Sequence, residues 1–168
     1  FHINISVKSD DGSDVLCPVI AGILDKACDM SAFLNPTESS YRRLGQKKAP
    51  AYVSWSGENR SQLVRIPAAA GEYRRAELRS PDPTANPYLA FALMIHAGLY
   101  GIDNSLELPM AADFNLFQAD AAFLADFRRL PENLTAARRT AADSSFIRQH
   151  LPAAILDTYC RSYWEQEG

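Results

Sequence analysis

The 168-residue chain has 47% hydrophobic and 22% charged residues, which predicts one globular domain with a hydrophobic core of its own. Its formal net charge of −3 and pI near 5.6 argue against a nucleic-acid partner or an anionic membrane surface. The sequence has no apolar run long enough to span a bilayer, and its cysteines, Cys17, Cys28 and Cys160, form no Cys-x-x-Cys pair. We therefore expect no disulfide framework, no zinc site and a reducing cytoplasmic location.

The first seven residues predict a strand, because polar and apolar side chains alternate along them. The two faces would carry His2, Asn4 and Ser6 on one side and Ile3, Ile5 and Val7 on the other. The chain opens on this strand without an initiator Met. We therefore expect it to be a fragment of a longer protein.

The next part of the chain predicts helices followed by a small sheet. Apolar residues at helical spacing predict an amphipathic helix over 14–30, and Asn35-Pro36-Thr37 ends this unit. One helical turn is expected over 39–44 and a loop over 45–50. Strand-like runs at 51–56, 60–67 and 74–79, with a turn at 57–59, predict an antiparallel meander.

The second half predicts mainly helices. Asn86-Pro87 is typical of a helix start, with Asn as the cap and Pro at the first helical position. Residues 89–100 are apolar almost all round, which predicts a buried helix with His96 as a core histidine. Further helices are expected at 121–127, 134–142 and 153–164. Together these elements predict one α+β domain over 1–168, with sheet and site segments in 1–83 and helices in 84–168.

The candidate site lies on the strand at 74–79. Alternation places Arg75, Glu77 and Arg79 on one face of this strand, and Ala76 and Leu78 on the other. Arg43, Arg60 and Arg65, which precede this strand in the sequence, are candidates to lie near the same face. Because the guanidinium fork suits carboxylates and phosphates, several arginines around one glutamate indicate an anion site with a place for a cation.

His2 and Glu77 are candidate ligands for that cation. Histidine and glutamate on adjacent strands suit Mg²⁺ or Mn²⁺, with substrate phosphates completing the coordination shell. Phosphoryl transfer needs cations of this kind around the transferred group. From the residues alone, three interpretations stay open: phosphate or nucleotide chemistry, a non-catalytic anion-binding domain, or a purely structural set of salt bridges.

The order of the motifs resembles the C-terminal half of the glutamine synthetase catalytic domain. The matching stretches are Phe1-His2-Ile3-Asn4, Asn35-Pro36-Thr37, Ser40-Tyr41-Arg42-Arg43-Leu44, Ala49-Pro50, Asn59-Arg60-Ser61, Val64-Arg65-Ile66-Pro67, Arg75-Ala76-Glu77-Leu78-Arg79-Ser80-Pro81-Asp82-Pro83 and Ala85-Asn86-Pro87-Tyr88-Leu89-Ala90-Phe91. The resemblance runs in order from the first residue to about Ile102, and more loosely through the C-terminal helices. A collinear set of this length is far more specific than any one motif.

The resemblance implies a curved antiparallel sheet covered by helices on one face. It implies ATP-dependent ligation of ammonia to glutamate through a γ-glutamyl phosphate, with Mg²⁺ or Mn²⁺ as divalent cations. It also implies a ring-shaped homo-oligomer for the full-length protein.

The resemblance further implies a role for each matching residue. His2 and Glu77 would bind one cation near the transferred phosphate. Arg79 would be the catalytic residue, contacting glutamate and its phosphorylated form. The remaining arginines would bind substrates: Arg43 and Arg60 the glutamate, and Arg60, Arg65 and Arg75 the phosphates of ATP.

Three departures separate this sequence from the family pattern. Lys48 stands before Ala49-Pro50, where the family usually has a glutamate that closes over the site and helps to deprotonate ammonium. A lysine there would repel ammonium. Asn4 stands where a second histidine often follows the first. The carboxylates that complete the metal sites, and the N-terminal domain, belong upstream of this chain.

We therefore expect a fragment that is inactive by itself. Three hypotheses remain for its parent protein: a glutamate–ammonia ligase, a γ-glutamyl ligase for another amine, or a non-catalytic nucleotide-binding paralogue. The retained arginines and Glu77 favour an active ligase of some kind, and Lys48 favours the second and third hypotheses.

Overall fold

The computed structural model describes residues 1–46, 49–69 and 71–161. Its strands are β1 (Ile3–Ile5), β2 (Trp55–Ser56), β3 (Val64–Arg65) and β4 (Ala76–Leu78). Its α-helices are α1 (Leu16–Asp25), α2 (Ala27–Leu34), α3 (Glu38–Arg43), α4 (Pro87–Asp103), α5 (Ala121–Leu124), α6 (Leu134–Asp143), α7 (Ser145–His150) and α8 (Ala153–Leu156). A 3₁₀ turn covers Gly71–Tyr73 and a π-helical turn Asp157–Arg161. These elements confirm the predicted α+β class.

The strands form one sheet in the order β1-β4-β3-β2. The pairs β1–β4 and β3–β4 are antiparallel, but β2–β3 is parallel, so the predicted antiparallel meander is wrong at this pair. The segment between β2 and β3 makes two successive turns. The chain therefore runs through β3 in the same direction as through β2. Ser56 Oγ accepts the backbone N–H groups of Glu58 and Asn59, and Asn59 Oδ1 accepts that of Ser61.

The register of the sheet places polar residues in one row. Asn4 and Arg65 both lie opposite Glu77, on the two sides of β4. The intervening residues, Ile3, Val64, Ala76 and Leu78, are buried in the same hydrophobic core as the helices. The predicted separation of polar and apolar faces is therefore correct.

The predicted helix over 14–30 is divided at Lys26, so α1 and α2 are separate helices. Lys26 has φ −94° and ψ 7°, and its ammonium group lies 4.0 Å from the centre of the Tyr100 ring. This cation–π contact joins the break to α4. The predicted end at Asn35 is confirmed, since α2 ends at Leu34.

Glycines let α1 and α4 approach closely. A Cβ atom on Gly22 would lie 2.0 Å from the Ala97 carbonyl oxygen, and one on Gly101 would lie 2.0 Å from that of Pro18. Backbone therefore meets backbone where the two helices cross. The start of α4 matches the prediction: Asn86 Oδ1 accepts the backbone N–H of Tyr88.

Helix α4 is not buried all round, contrary to the prediction. Phe91, Ile95 and Leu99 are 46%, 61% and 48% exposed, because α1 covers only the opposite side of the helix. His96 is half-buried, and its ring stacks on that of His150 with centroids 4.0 Å apart.

The C-terminal helices depart from the prediction in three places. Helix α5 ends at Leu124, three residues before the end of the helix predicted over 121–127. Helix α7 was not expected; Ser144 caps it by accepting the backbone N–H of Ile147. The helix predicted over 153–164 is the short α8 followed by the π-helical turn, and 162–164 lie outside the described residues. Among the helices of the described ranges, none has the length and apolar character needed to cross a membrane.

Candidate active site

Glu77 lies at the centre of the polar face of the sheet. Strand alternation points it away from the core, yet its side chain is only 13% exposed because three residues surround it. His2 Nδ1 is 2.5 Å from Oε1, Arg79 Nη1 is 2.6 Å from the same oxygen, and Arg65 Nη1 is 3.3 Å from Oε2. Both carboxylate oxygens are thus in contact with a nitrogen donor.

Arg79 is the most deeply buried of these cations, with a side chain 2% exposed. Its Nε donates to the Arg60 carbonyl oxygen at 3.2 Å. Burial lowers the pKa of Arg79; Glu77 opposes that shift, and the nearby charges of Arg60 and Arg65 add to it. Arginine keeps its charge even so, and the two guanidinium groups that contact the single carboxylate of Glu77 leave an excess of positive charge.

His2 is held as a neutral imidazole at neutral pH. Burial and the charge of Arg79 lower its pKa, and Glu77 opposes the shift only in part. A neutral imidazole beside a carboxylate donates its Nδ1 proton to that carboxylate. Its Nε2 then carries the free lone pair, which is the form that binds a metal ion.

His2 and Glu77 fit a divalent cation by donor type, since Mg²⁺ and Mn²⁺ accept carboxylate oxygen and Mn²⁺ also accepts imidazole. Within the described residues, no group of three His, Cys, Asp or Glu side chains converges on a metal position. These two residues could therefore supply only part of a coordination shell. Water, phosphate oxygens or other protein groups would have to supply the rest.

Arg43 borders the site from the end of α3. Its Nη2 donates to Asn35 Oδ1 at 3.1 Å and to the Ser80 carbonyl oxygen at 2.5 Å. Its Nε lies 3.6 Å from Asp82 Oδ2. The positive charge of Arg43 contributes to the lowered pKa of His2, so the two side chains belong to one electrostatic environment.

The structure thus brings together most of the residues that the sequence indicated. His2, Arg43, Arg60, Arg65, Glu77 and Arg79 are joined by contacts or by the influence of their charges. Arg75 is exposed just before β4, and no described contact links it to this group. Asn4 lies exposed beside Glu77 in the register, and Lys48 lies outside the described residues.

Sequence reasoning gave no role to Asn35 and Asp82, although both occur in the matched motifs. Each is a buried polar residue in contact with Arg43. The adjacent prolines are the sequence feature that could have drawn attention to them: Asn35 precedes Pro36, and Asp82 lies between two prolines. Such positions have restricted backbone conformations, which suits residues that must hold a fixed direction.

A small sheet with an arginine-rich polar face and helices against its apolar face defines an α+β domain with a candidate anion-binding site. The family model described as "Glutamine synthetase, catalytic domain" matches residues 3–167. The chain belongs to this family.

Glutamine synthetases are among the curated relatives of this chain. That of Methanosarcina mazei is 41% identical over 143 residues, which cover 83% of this chain and 32% of the relative. That of Methanocaldococcus jannaschii is 37% identical over 159 residues, which cover 91% of this chain and 35% of the relative. The chain therefore spans about a third of the length of the curated relatives it matches.

Two solved structures share the fold. A GmaS/ADP complex is 29% identical with a TM-score of 0.78, over 96% of this chain and 39% of that one. Apo GmaS without ligand is 30% identical with a TM-score of 0.76, over 96% of this chain and 37% of that one.

Proposed function

We propose that this chain is the C-terminal part of the catalytic domain of an ATP-dependent glutamate–ammonia ligase that acts through γ-glutamyl phosphate. The observation that carries the proposal is the contact of Glu77 with His2, Arg65 and Arg79 in a member of the glutamine synthetase family. The chain by itself is proposed to be inactive, and the activity belongs to the whole protein.

Arg79 is the proposed catalytic residue. Glutamate and its phosphorylated form are both anionic, and a buried guanidinium stabilises such charge more strongly than an exposed one. Arg79 has this burial, and Glu77 and the Arg60 carbonyl oxygen fix its direction before substrate arrives. Arg43 and Arg60 are the proposed partners of the remaining negative charge of glutamate.

Arg60, Arg65 and Arg75 are the proposed ligands of the ATP phosphates. Arg60 and Arg65 lie close enough to Arg79 for their charges to affect it. The ATP phosphates and the glutamate would therefore bind next to each other. The existence of a GmaS/ADP complex with the same fold supports a nucleotide site in this chain.

His2 and Glu77 are the proposed protein ligands of a Mg²⁺ or Mn²⁺ ion. When bound, such an ion would neutralise phosphate charge and so assist phosphoryl transfer. Two features of the protein support this proposal: His2 is neutral because its pKa is lowered, and Arg65 and Arg79 hold the Glu77 carboxylate in place. The proposal extends to a cytoplasmic, ring-shaped homo-oligomer, as the family resemblance implies.

A second candidate is a γ-glutamyl ligase for another amine. Lys48 favours it, because a lysine replaces the family's usual glutamate on the amine side of the reaction while the glutamate-binding arginines are present. A non-catalytic nucleotide-binding paralogue is the third candidate, favoured by the same substitution.

Measuring ADP release from the whole protein distinguishes the three candidate functions. The assay contains ATP, Mg²⁺ and glutamate, with ammonia or one of a panel of amines. Ammonia-dependent release supports the glutamate–ammonia ligase, and release with another amine alone supports the second candidate. Nucleotide binding without turnover under all conditions would overturn both ligase proposals.

A further inference from the structure

We propose that Asn35 and Asp82 are positioning residues for Arg43, which turn one edge of its guanidinium inward and leave Nη1 for a substrate carboxylate. This inference rests on the proposed function, in which Arg43 binds glutamate. It assigns a role to two buried residues that the family comparison leaves without one.

The contacts of Arg43 are confined to one edge of the guanidinium. Nη2 donates to both Asn35 Oδ1 and the Ser80 carbonyl oxygen. Nε has no hydrogen-bond partner among the described residues and forms an ion pair with Asp82 Oδ2 at 3.6 Å. Nη1 has no hydrogen bond to the described residues 1–46, 49–69 and 71–161. A guanidinium carries five N–H donors in a rigid plane, so fixing one edge fixes where the remaining donors point.

The surroundings of Asn35 indicate that its role depends on its side-chain oxygen, which accepts a hydrogen bond. Its side chain is completely buried, and its Oδ1 accepts from Arg43. Its Nδ2 has no hydrogen-bond partner in the described part of the chain. An unsatisfied buried donor is unfavourable, so an apolar residue of similar shape would suit stability at least as well. The hydrogen bond to Arg43 is the interaction that such a replacement would lose.

The two carboxylate oxygens of Asp82 contact different residues. Oδ1 accepts the backbone N–H of Thr84 at 2.9 Å and its hydroxyl at 2.7 Å, while Oδ2 faces Arg43. Burial alone would raise the pKa of Asp82, but hydrogen bonds from Thr84 and Ser40 and the charge of Arg43 lower it. The carboxylate is therefore ionised, and the Thr84 turn holds it in place.

The segments that carry Asn35 and Asp82 are also bonded directly to each other. The backbone N–H of Asp82 donates to the Leu34 carbonyl oxygen at 2.9 Å. Arg43 therefore lies between two anchors that cannot move independently. A guanidinium held in this way loses little side-chain entropy when it binds a carboxylate, which favours glutamate affinity more than the rate of the chemical step.

The test compares Asn35→Leu and Asp82→Asn with Thr84→Val in the whole protein. Thr84→Val removes the hydroxyl hydrogen bond to Asp82 Oδ1 but keeps the backbone N–H at position 84 that holds the same oxygen, and it leaves Oδ2 and its charge beside Arg43. The steady-state KM values for glutamate and ATP are measured together with kcat, and glutamate binding is measured by calorimetry.

Asn35→Leu and Asp82→Asn are expected to raise the KM for glutamate about tenfold, with kcat and the KM for ATP within about twofold of wild type. Thr84→Val is expected to leave the KM for glutamate unchanged. In an Arg43→Lys background, Asn35→Leu is expected to add nothing further, because it acts through Arg43.

Wild-type KM values in both variants would overturn the inference, as would an equal rise in Thr84→Val, which would indicate a role in the turn alone. If Asn35→Leu does not fold, the comparison of Asp82→Asn with Thr84→Val decides the matter. A wild-type protein that neither binds nor uses glutamate would overturn the proposed function and this inference with it. If the wild-type protein uses glutamate and the variants have unchanged KM values for it, only this inference is overturned and the proposed function stands.

Discussion

His2 Nδ1 lies 2.5 Å from Glu77 Oε1, a contact that joins the residue before β1 to the middle of β4. The antiparallel pairing of these strands brings the two side chains to the same face of the sheet. Arg65 and Arg79 contact the same carboxylate, so Glu77 is a counterion for both arginines. In the proposed function Glu77 is also, with His2, a donor for a cation.

Replacing Glu77 by Gln removes the counterion of Arg79 without changing the size of the side chain. We expect the free energy of unfolding to fall by about 3 kcal/mol, because the substitution removes the negative charge of Glu77 from beside the buried Arg79. Urea unfolding measures this change. Glu58→Gln, at an exposed position, is the control. Equal small losses in the two variants would show that Glu77 does not compensate the charge of Arg79.

Replacing Lys48 by Glu should raise ammonia-dependent activity of the whole protein by about threefold to tenfold. A carboxylate at this position would attract ammonium, which the lysine repels. The measurement is the initial rate at subsaturating ammonia, with Lys47→Glu as a control for a general charge effect. No gain, or the same gain in both variants, would show that the position or its mechanism is misassigned.

Replacing Gly101 by Ala should destabilise the crossing of α1 and α4. The new methyl group would overlap the Pro18 carbonyl oxygen, and backbone cannot move aside as a flexible side chain can. We expect a loss of about 3 kcal/mol or more in the free energy of unfolding. Gly57→Ala is the matched control, because its added Cβ would find its nearest atom 3.7 Å away. Equal thermal midpoints for the two variants would contradict the observed helix contact.

The stacked pair His96 and His150 should make stability depend on pH. Burial and the neighbouring His96 lower the pKa of His150, so the unfolded chain binds protons more readily than the folded one. The contribution to stability is full above about pH 6.5 and is lost as the pH falls through the lowered pKa. Urea midpoints between pH 7.5 and 5 should fall less steeply in His150→Phe than in wild type. Identical slopes would contradict this assignment.

Much of the site was predictable because strand alternation is a local property. The side-chain period of two predicted Glu77 and Arg79 on one face, and Arg65 joins them through a neighbouring strand. The same period assigned Arg75 to that face, but no described contact links Arg75 to the group. The contacts of Arg43 were not predictable in this way. They depend on two loops that meet through the hydrogen bond between Asp82 and Leu34, and no sequence period encodes that meeting.

The errors in the fold have similar physical causes. The parallel pairing of β2 with β3 depends on side-chain hydrogen bonds within the turn, which composition alone does not reveal. The exposed stripe on α4 was missed because a helix that is apolar on every side has no polar face to indicate which side is covered. The glycines Gly98 and Gly101 do mark the side that faces α1.

The measurement that tests the central claim most directly follows oxygen from glutamate into phosphate. The whole protein is given ATP and glutamate labelled with ¹⁸O in its γ-carboxylate, together with the amine that supports turnover. A γ-glutamyl phosphate transfers a carboxylate oxygen to the phosphate when the amine displaces it. We predict ¹⁸O-labelled phosphate from the wild type, and a loss of at least about 100-fold in the rate of its formation in Arg79→Ala. Amide product accompanied by unlabelled phosphate would contradict the account.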